Sequence, residues 1–292
     1  MLKTLAAQVK EFKKDSILTP VFMILEVLFE TMIPLLMASI IDKGVETGDI
    51  NHIYKVGAMM GVLALCGLWA GVMGGKYGSR ASTGFARNLR KAMYDNIQDF
   101  SFSNIDKYST AGLITRLTTD VTNLQNAYQM LLRMFTRAPA SLICAMIMAF
   151  TIHAELASIY LIAVIALGGC LILIMSRAVK YFQKVFQKYD DLNASVQENI
   201  TGIRVVKAYV REEYENQKFF KAAENVYKMF VKAENIIVAN MPLMMFTVYA
   251  CILGLSWLGA KMIVVDDLTT GELMSLLTYC MNIMMSLMML SM

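Results

Sequence analysis

Apolar residues gather in long blocks, at about residues 17–41, 56–76, 138–152, 156–176, 236–265 and 273–292. The first block would be about 37 Å long as a helix at about 1.5 Å per residue, enough to cross a hydrocarbon core of about 30 Å. The blocks are joined by short polar segments at 42–55, 153–155 and 266–272, and by two much longer polar stretches, 77–137 and 177–235. The long stretches hold few turn residues and many helix formers. Helices are therefore predicted to continue out of the membrane through about 80–100, 121–135, 180–205 and 217–232, with the first hairpin turning near Ser101–Gly112. The pattern predicts an all-α membrane protein: six long transmembrane helices with two extended helical hairpins on one side.

Two details refine the pattern. Residues 1–16 carry Leu2, Leu5, Ala6, Val9 and Phe12 at helical spacing among lysines, which predicts an amphipathic elbow helix lying at the membrane surface. A signal peptide does not fit, because the apolar run that follows is too long and lacks a small-residue cleavage site. In the second block Gly67, Gly71 and Gly75 form overlapping G-x-x-x-G steps, a stripe where a neighbouring helix approaches closely. The sixth block has no charged residue after Glu272, so the sequence is expected to be truncated in or just after that span. The transmembrane domain is accordingly placed at 17–292.

Composition agrees with the pattern. Of 292 residues 57% are hydrophobic and 17% charged, and mean hydropathy is +0.51. A soluble domain has about 25% charged residues. The net charge of +4 would suit nucleic acid only if it were patterned for it. Instead 23 of the 27 lysines and arginines fall in the N-terminal segment and the two long stretches. By the positive-inside rule those regions are cytoplasmic, and the protein is expected to be multi-pass in the plasma (inner) membrane with both ends inside. No nucleic-acid partner is expected; lipid is.

Enzyme chemistry finds no foothold. The five cysteines are dispersed through apolar blocks and read as small helix residues, so no metal site is expected. His52 and His153 are the only histidines, and both fall in short loops. The nearest approach to a phosphate-binding loop is Gly71–Ser79, but Ala70 stands where its first glycine is required and Tyr77 where its hydroxyl is.

The two long stretches carry a specific resemblance. Asn104–Val121 includes Leu113-Ile114-Thr115-Arg116-Leu117-Thr118-Thr119-Asp120-Val121 and resembles the first intracellular loop of bacterial ABC exporters. Val196–Tyr209, with Glu198, Gly202, Ile203, Val206, Lys207 and Ala208, resembles the second; Tyr209 stands where Phe is commoner. The resemblance covers essentially the whole chain, both motifs lie in order between the expected spans, and it extends to multidrug and lipid exporters. It implies a short coupling helix in each loop, near Asp106–Leu113 and near Ala208–Tyr214, docking on a nucleotide-binding domain. The residues implicated are Asp106, Lys107, Tyr108, Ser109, Thr110, Leu113, Arg116 and Asp120 in the first, and Lys207, Ala208, Tyr209, Val210, Arg211, Glu212 and Glu213 in the second. It further implies a second transmembrane domain, identical or related, that exchanges helices four and five. ATP and Mg would sit on a nucleotide-binding domain absent from this chain, which itself needs no cofactor. The implied function is export of an amphipathic substrate by alternating access.

Within the spans the sharpest chemistry is Glu26 and Glu30, four residues apart on one helix face. Two readings stand side by side: a polar patch on the translocation pathway favouring cationic substrates, or carboxylates hydrogen-bonded to a neighbouring helix. Arg133 and Arg137, where the third span begins, read as snorkelling toward headgroups. Met284, Met285, Met288 and Met289 either line a cavity or pack; Met284 and Met288 are taken as pathway candidates with the two glutamates. An ion-gradient-driven carrier using Glu26 and Glu30 is the alternative function.

Overall fold

The computed structural model describes residues 2–102 and 108–291, and every regular element among them is a helix. Six of these helical stretches are long and apolar enough to cross a membrane. The apolar blocks and the polar stretches belong to the same helices. A short α1 (Leu2–Ala6) and a tight turn at Ala7–Phe12 lead into α2 (Lys13–Ile40), and α3 runs unbroken from Ile50 to Gln98. The return begins with α4 (Thr110–Thr115), loosens through a wide turn at Arg116–Asp120, and continues as α5 (Val121–Ile152). Then come α6 (Ala154–Thr201), the short α7 (Ile203–Ala208), α8 (Glu212–Val238), α9 (Asn240–Val264) and α10 (Thr270–Ser291). The chain divides into two compact units, one of Met1–Leu161 with Ile252–Leu290, the other of Ile162–Cys251.

Local sequence sets the helix starts. Asp49 caps α3, its carboxylate accepting from the amides of Asn51 (3.0 Å) and His52 (3.2 Å). No proline interrupts the 49 residues that follow. Ahead of α10, Thr269 and Glu272 form a reciprocal capping box: the Thr269 amide donates to Glu272 Oε2 (3.0 Å) and the Glu272 amide to Thr269 Oγ1 (3.2 Å).

In the first unit α2 is the hub. Its seam with α3 runs along Gly67, Gly71, Gly74 and Gly78. A Cβ on these glycines would meet, in turn, Phe29, Glu26, Met23 and Thr19 of α2. The steps of three and four residues run in opposite senses on the two helices, as an antiparallel pair requires. This corrects the stripe read from sequence. Gly75 faces open space, because the contact follows the drift of a 3.6-residue helix from Gly71 to Gly74 rather than a strict four-residue repeat.

The seam between α2 and α10 is polar. Tyr279 donates to the Thr31 carbonyl (2.7 Å) and Ser275 to the Pro34 carbonyl (2.6 Å), both buried. Asp42 accepts from the Gly271 amide and the Thr269 hydroxyl, each at 2.7 Å. Gly271 must be glycine here, since a Cβ would lie 2.5 Å from the Ala38 carbonyl oxygen. Interhelical hydrogen bonds within membranes average about 0.6 kcal/mol each, so the value of this set lies as much in fixing register as in stability. Tyr160, fully buried, adds a bond to the Leu276 carbonyl at 2.9 Å.

The N-terminal segment is packed on the helices beside it. Its apolar face does not lie free at a surface: Val9, with Leu5 and Phe12, packs on Phe85, Ala86 and Leu89 of α3 and on Val121 of α5. Gly84 makes room for the Phe12 ring, which a Cβ there would strike at 2.3 Å. Polar contacts lock the arrangement. Arg87 pairs with Glu11 and lies over the Phe12 ring, Asn88 donates to the Gln8 carbonyl (3.1 Å) and Glu11 Oε2 (3.3 Å), and Tyr128 donates to Ser16 (2.8 Å). Protein offers the apolar stripe a closer-packed partner than a lipid surface does.

The second unit is a long hairpin. Phe182 and Phe230 meet edge to face at 5.9 Å, and Val185, Val226 and Ala233 are buried. Nearer its tip Lys218 reaches Glu198 (2.7 Å) and Asn199 reaches Glu215 (3.2 Å).

Candidate functional site: an ion triad and the tips of the arms

Glu26 and Glu30 share a face of α2, and the structure fills the space opposite them with Arg137 of α5. Its guanidinium spans both carboxylates, Nη1 at 2.7 Å from Glu26 Oε1 and Nη2 at 2.8 and 2.9 Å from the two oxygens of Glu30. The snorkelling reading of Arg137 is thereby corrected: two carboxylates within reach are better partners than distant headgroups. The triad is graded in exposure. The Glu26 side chain is 13% exposed and that of Glu30 48%. Gly71 lets Glu26 lie where it does, since a Cβ there would stand 2.9 Å from Glu26 Oε1.

Arg137 is a wall shared by two cavities of the first unit. One, of about 430 Å³, is lined by Met23, Asn126, Gln129, Met130, Arg133, Met134 and Met289 besides Arg137. The other, of about 410 Å³, has Glu30, Thr31, Ser141, Thr278, Asn282 and Ser286 as its polar lining besides Arg137, with Met285 and Met289. So Glu30 borders a cavity, while Glu26 is the buried anchor behind it. Of the methionine candidates Met284 is buried (2% exposed) and Met288 half-buried, and neither is among the residues lining these two cavities. Met285 and Met289 do, because α10 turns that edge away from its packed face of Leu276, Tyr279, Ile283 and Met284. Arg137's role was missed from sequence, although two carboxylates one turn apart inside a membrane imply a cation on a facing helix.

At the tip of the first arm, Asp106 and Lys107 lie outside the described residues. Tyr108 and Ser109 form a break rather than a helix, and Ser109 caps α4 by accepting from the Gly112 amide at 3.1 Å. Thr110 and Leu113 therefore begin the returning helix, and Arg116 and Asp120 bound its wide turn. Tyr108 stacks on Phe100 (5.7 Å) beneath the Arg116 guanidinium (5.4 Å).

At the second tip α7 spans Ile203–Ala208, and the expected coupling segment near 208–214 runs from its last residue through the reversal into the start of α8. Gly202 ends α6, and Lys207 and Ala208 close α7. The reversal falls on Tyr209, Val210 and Arg211. Val210 adopts φ 52°, its amide bonding the Lys207 carbonyl (3.3 Å) and the Arg211 amide the Val206 carbonyl (3.0 Å). This is a Schellman cap with valine at the left-handed position that glycine usually takes. A β-branched residue there is strained. Tyr209 and Val210 are 75% and 80% exposed. Glu212 and Glu213 open α8, and Lys207 holds Glu212 at 2.9 Å, which keeps that carboxyl below its ordinary pKa.

Residues 16–288 match the ABC transporter transmembrane region. The chain belongs to this family. It is 30% identical over 263 residues to the uncharacterized ABC transporter ATP-binding protein YfiB of Bacillus subtilis, covering 90% of this chain and 46% of that protein. It is 28% identical over 296 residues to the uncharacterized ABC transporter ATP-binding protein Rv1273c of Mycobacterium tuberculosis, covering 100% of this chain and 50% of the other. An ATP-dependent lipid A-core flippase of Syntrophus aciditrophicus is 27% identical over 198 residues, 65% of this chain and 32% of that protein. The chain spans about half the length of the first two. As an ABC transmembrane region it is a multi-pass membrane protein, all-α, with six helices of membrane length. The glycines that approach a phosphate loop in spacing belong to the interior of α3, where Gly71, Gly74 and Gly78 pack on α2 and Gly75 faces open space.

Proposed function

We propose that this chain is the membrane-spanning half of an ATP-driven exporter that moves an amphipathic substrate by alternating access. ATP and Mg act on a nucleotide-binding domain outside the chain, and a second transmembrane domain, identical or related, completes the pathway. The arms are cytoplasmic, in the plasma membrane, and their tips dock on the nucleotide-binding domains. The observation that carries this reading is the second tip: an exposed tyrosine beside an exposed valine held in a strained left-handed turn. An apolar pair displayed at the end of a long helical lever suits an interface better than it suits water. Two relatives named as ATP-dependent lipid A-core flippases support an amphipathic cargo. The cavity-facing Glu30 and its partner Glu26 belong to the pathway in this reading.

The test is Tyr209→Ala in a complete transporter containing this chain. Substrate-stimulated ATP hydrolysis should fall several-fold while ATP binding is retained, an interfacial aromatic anchor contributing about 2 kcal/mol. Unchanged stimulation and unchanged transport would remove the docking role. An ion-gradient-driven carrier is disfavoured by the match of residues 16–288 to the ABC transporter transmembrane region.

A further inference from the structure

The two carboxylates of the triad differ in what holds them. Glu26 is the fixed member. It is largely buried, fitted against Gly71, and its Oε2 has no hydrogen-bond partner, so it relies on Arg137 for compensation. Glu30 is the open member, about half exposed on the wall of the 410 Å³ cavity, and it takes the other guanidinium nitrogen with both oxygens. Two carboxylates and one guanidinium leave one negative charge in excess. Glu30 brings one of these carboxylates, with Arg137 beside it, to the cavity wall among the hydroxyl and amide groups of Ser141, Thr278 and Asn282 and the thioethers of Met285 and Met289. Arg133, a turn away on α5, lines only the other cavity.

We propose that Arg137 is the resident counter-ion of a monocation site at Glu30, and so a specificity-determining residue of the cavity. An organic monocation entering the cavity pairs with Glu30 in place of the Arg137 Nη2 arm, while Nη1 stays on Glu26. The arginine thus competes with every cationic ligand and sets a threshold of affinity. Anions find a carboxylate in excess and are rejected. Polarizable thioethers and hydroxyls suit a bulky cation with delocalised charge. The inference rests on the pathway reading of Glu30, but its test does not need transport.

The experiment measures binding, without ATP, of tetraphenylphosphonium and of its anionic twin tetraphenylborate to the complete transporter in nanodiscs, corrected for protein-free discs. Wild type should prefer the phosphonium. Arg137→Gln should tighten phosphonium binding about tenfold by removing the competitor, and Glu30→Gln should weaken it by a similar factor. Neither should improve phosphonium binding when combined in one protein, since the site then has no carboxylate on the cavity wall. Thermal midpoints report whether each variant is folded. If Arg137→Gln does not fold, Arg137→Lys decides, because losing the two-pronged grip on Glu30 should still tighten phosphonium binding. Folded arginine variants that bind the phosphonium no better than wild type, or an absence of charge preference in wild type, would overturn the proposal. Charge-selective binding in a transporter that hydrolyses no ATP would instead sink the export reading and leave this one standing.

Discussion

The two arms are built alike in sequence terms and stabilised differently. The base of the first is clasped by residues of its own N-terminal segment: Phe12 fits over Gly84, Val9 joins a buried cluster, and Arg87 and Asn88 grip Glu11. The second has a sparse interior and ends in Tyr209 and Val210, both largely exposed, with Tyr214 59% exposed beyond them. One arm has found its partner within the chain. The tip of the other displays apolar surface that water does not favour, as Phe102, 88% exposed, does near the first tip. The contrast makes the base of the first arm a strut joined to the start of α2, and leaves the second tip to the docking proposed for it.

The comparison breaks most readily at Gly84. Gly84→Leu puts atoms where the Phe12 ring lies, so the N-terminal segment must detach or the helices must part. The thermal midpoint of the purified protein should fall, by a loss of about 3 kcal/mol for overpacking of this kind. Faster proteolysis near Lys10 should accompany it. An unchanged midpoint and unchanged cleavage would mean that the clasp contributes little and that the arms differ less than the contacts indicate. The matching change on the other arm is Tyr209→Ala, which removes a side chain 75% exposed. Its effect on the midpoint of the chain alone should stay within about 0.5 kcal/mol, as for surface substitutions generally. A loss as large as that at Gly84 would show that the second tip is packed within its own chain.

How much of this was legible beforehand follows from what each signal requires. The spans and the long arms could be read because hydropathy and helix propensity are local and repeat over many residues. The family could be read because the motifs in the two long stretches resemble it. The helix breaks at the second tip could not be fixed so closely, since Gly202 and the reversal at Val210 are both decided by single backbone conformations. The glycine stripe was visible, but its register was not: choosing Gly74 over Gly75 depends on which face of α3 meets α2. The elbow's amphipathic face was visible too, without any indication that protein and not lipid would cover it. The ion triad joins residues more than a hundred positions apart, and one sequence gives no way to pair Arg137 with Glu26. The edge of α10 that lines the cavities fails for the same reason.

Val210 sharpens the comparison with a smaller effect of the opposite sign. Glycine takes the left-handed conformation without a clash, whereas valine pays a steric cost there. Val210→Gly should therefore leave the tip as stable or firmer by up to about 1 kcal/mol, read as slower hydrogen exchange at the Arg211 amide that closes the turn. If the strained valine serves docking, the same variant should weaken coupling to ATP hydrolysis although the tip is no less stable. Faster exchange would mean that the valine side chain packs more than its 80% exposure suggests.

The smallest effect expected is electrostatic, and it bears on both arms. Glu212 lies below its ordinary pKa, chiefly through the hydrogen bond from Lys207 at the second tip. Glu11 on the first arm is also lowered, chiefly by a backbone hydrogen bond and then by Asn88. A carboxyl whose folded pKa is depressed contributes stability that is present above its unfolded pKa and is lost as pH falls through the lowered folded value. Both contributions should thus be complete at neutral pH and fade under acid conditions, below the usual carboxylate range. Both pairs are solvent-exposed, so salt should screen them and their effect should be slight. The variants Glu212→Gln and Glu11→Gln should each lower the thermal midpoint a little at pH 7, and the difference from wild type should vanish as the pH is lowered. The two should part in their response to salt. Glu212 depends first on a cation, so its difference should shrink at 1 M salt, whereas that of Glu11 rests first on backbone and amide donors and should persist. Equal salt sensitivity would show that the clasp at the first arm is held by Arg87 more than by its hydrogen bonds, and that the two arms use the same electrostatics after all.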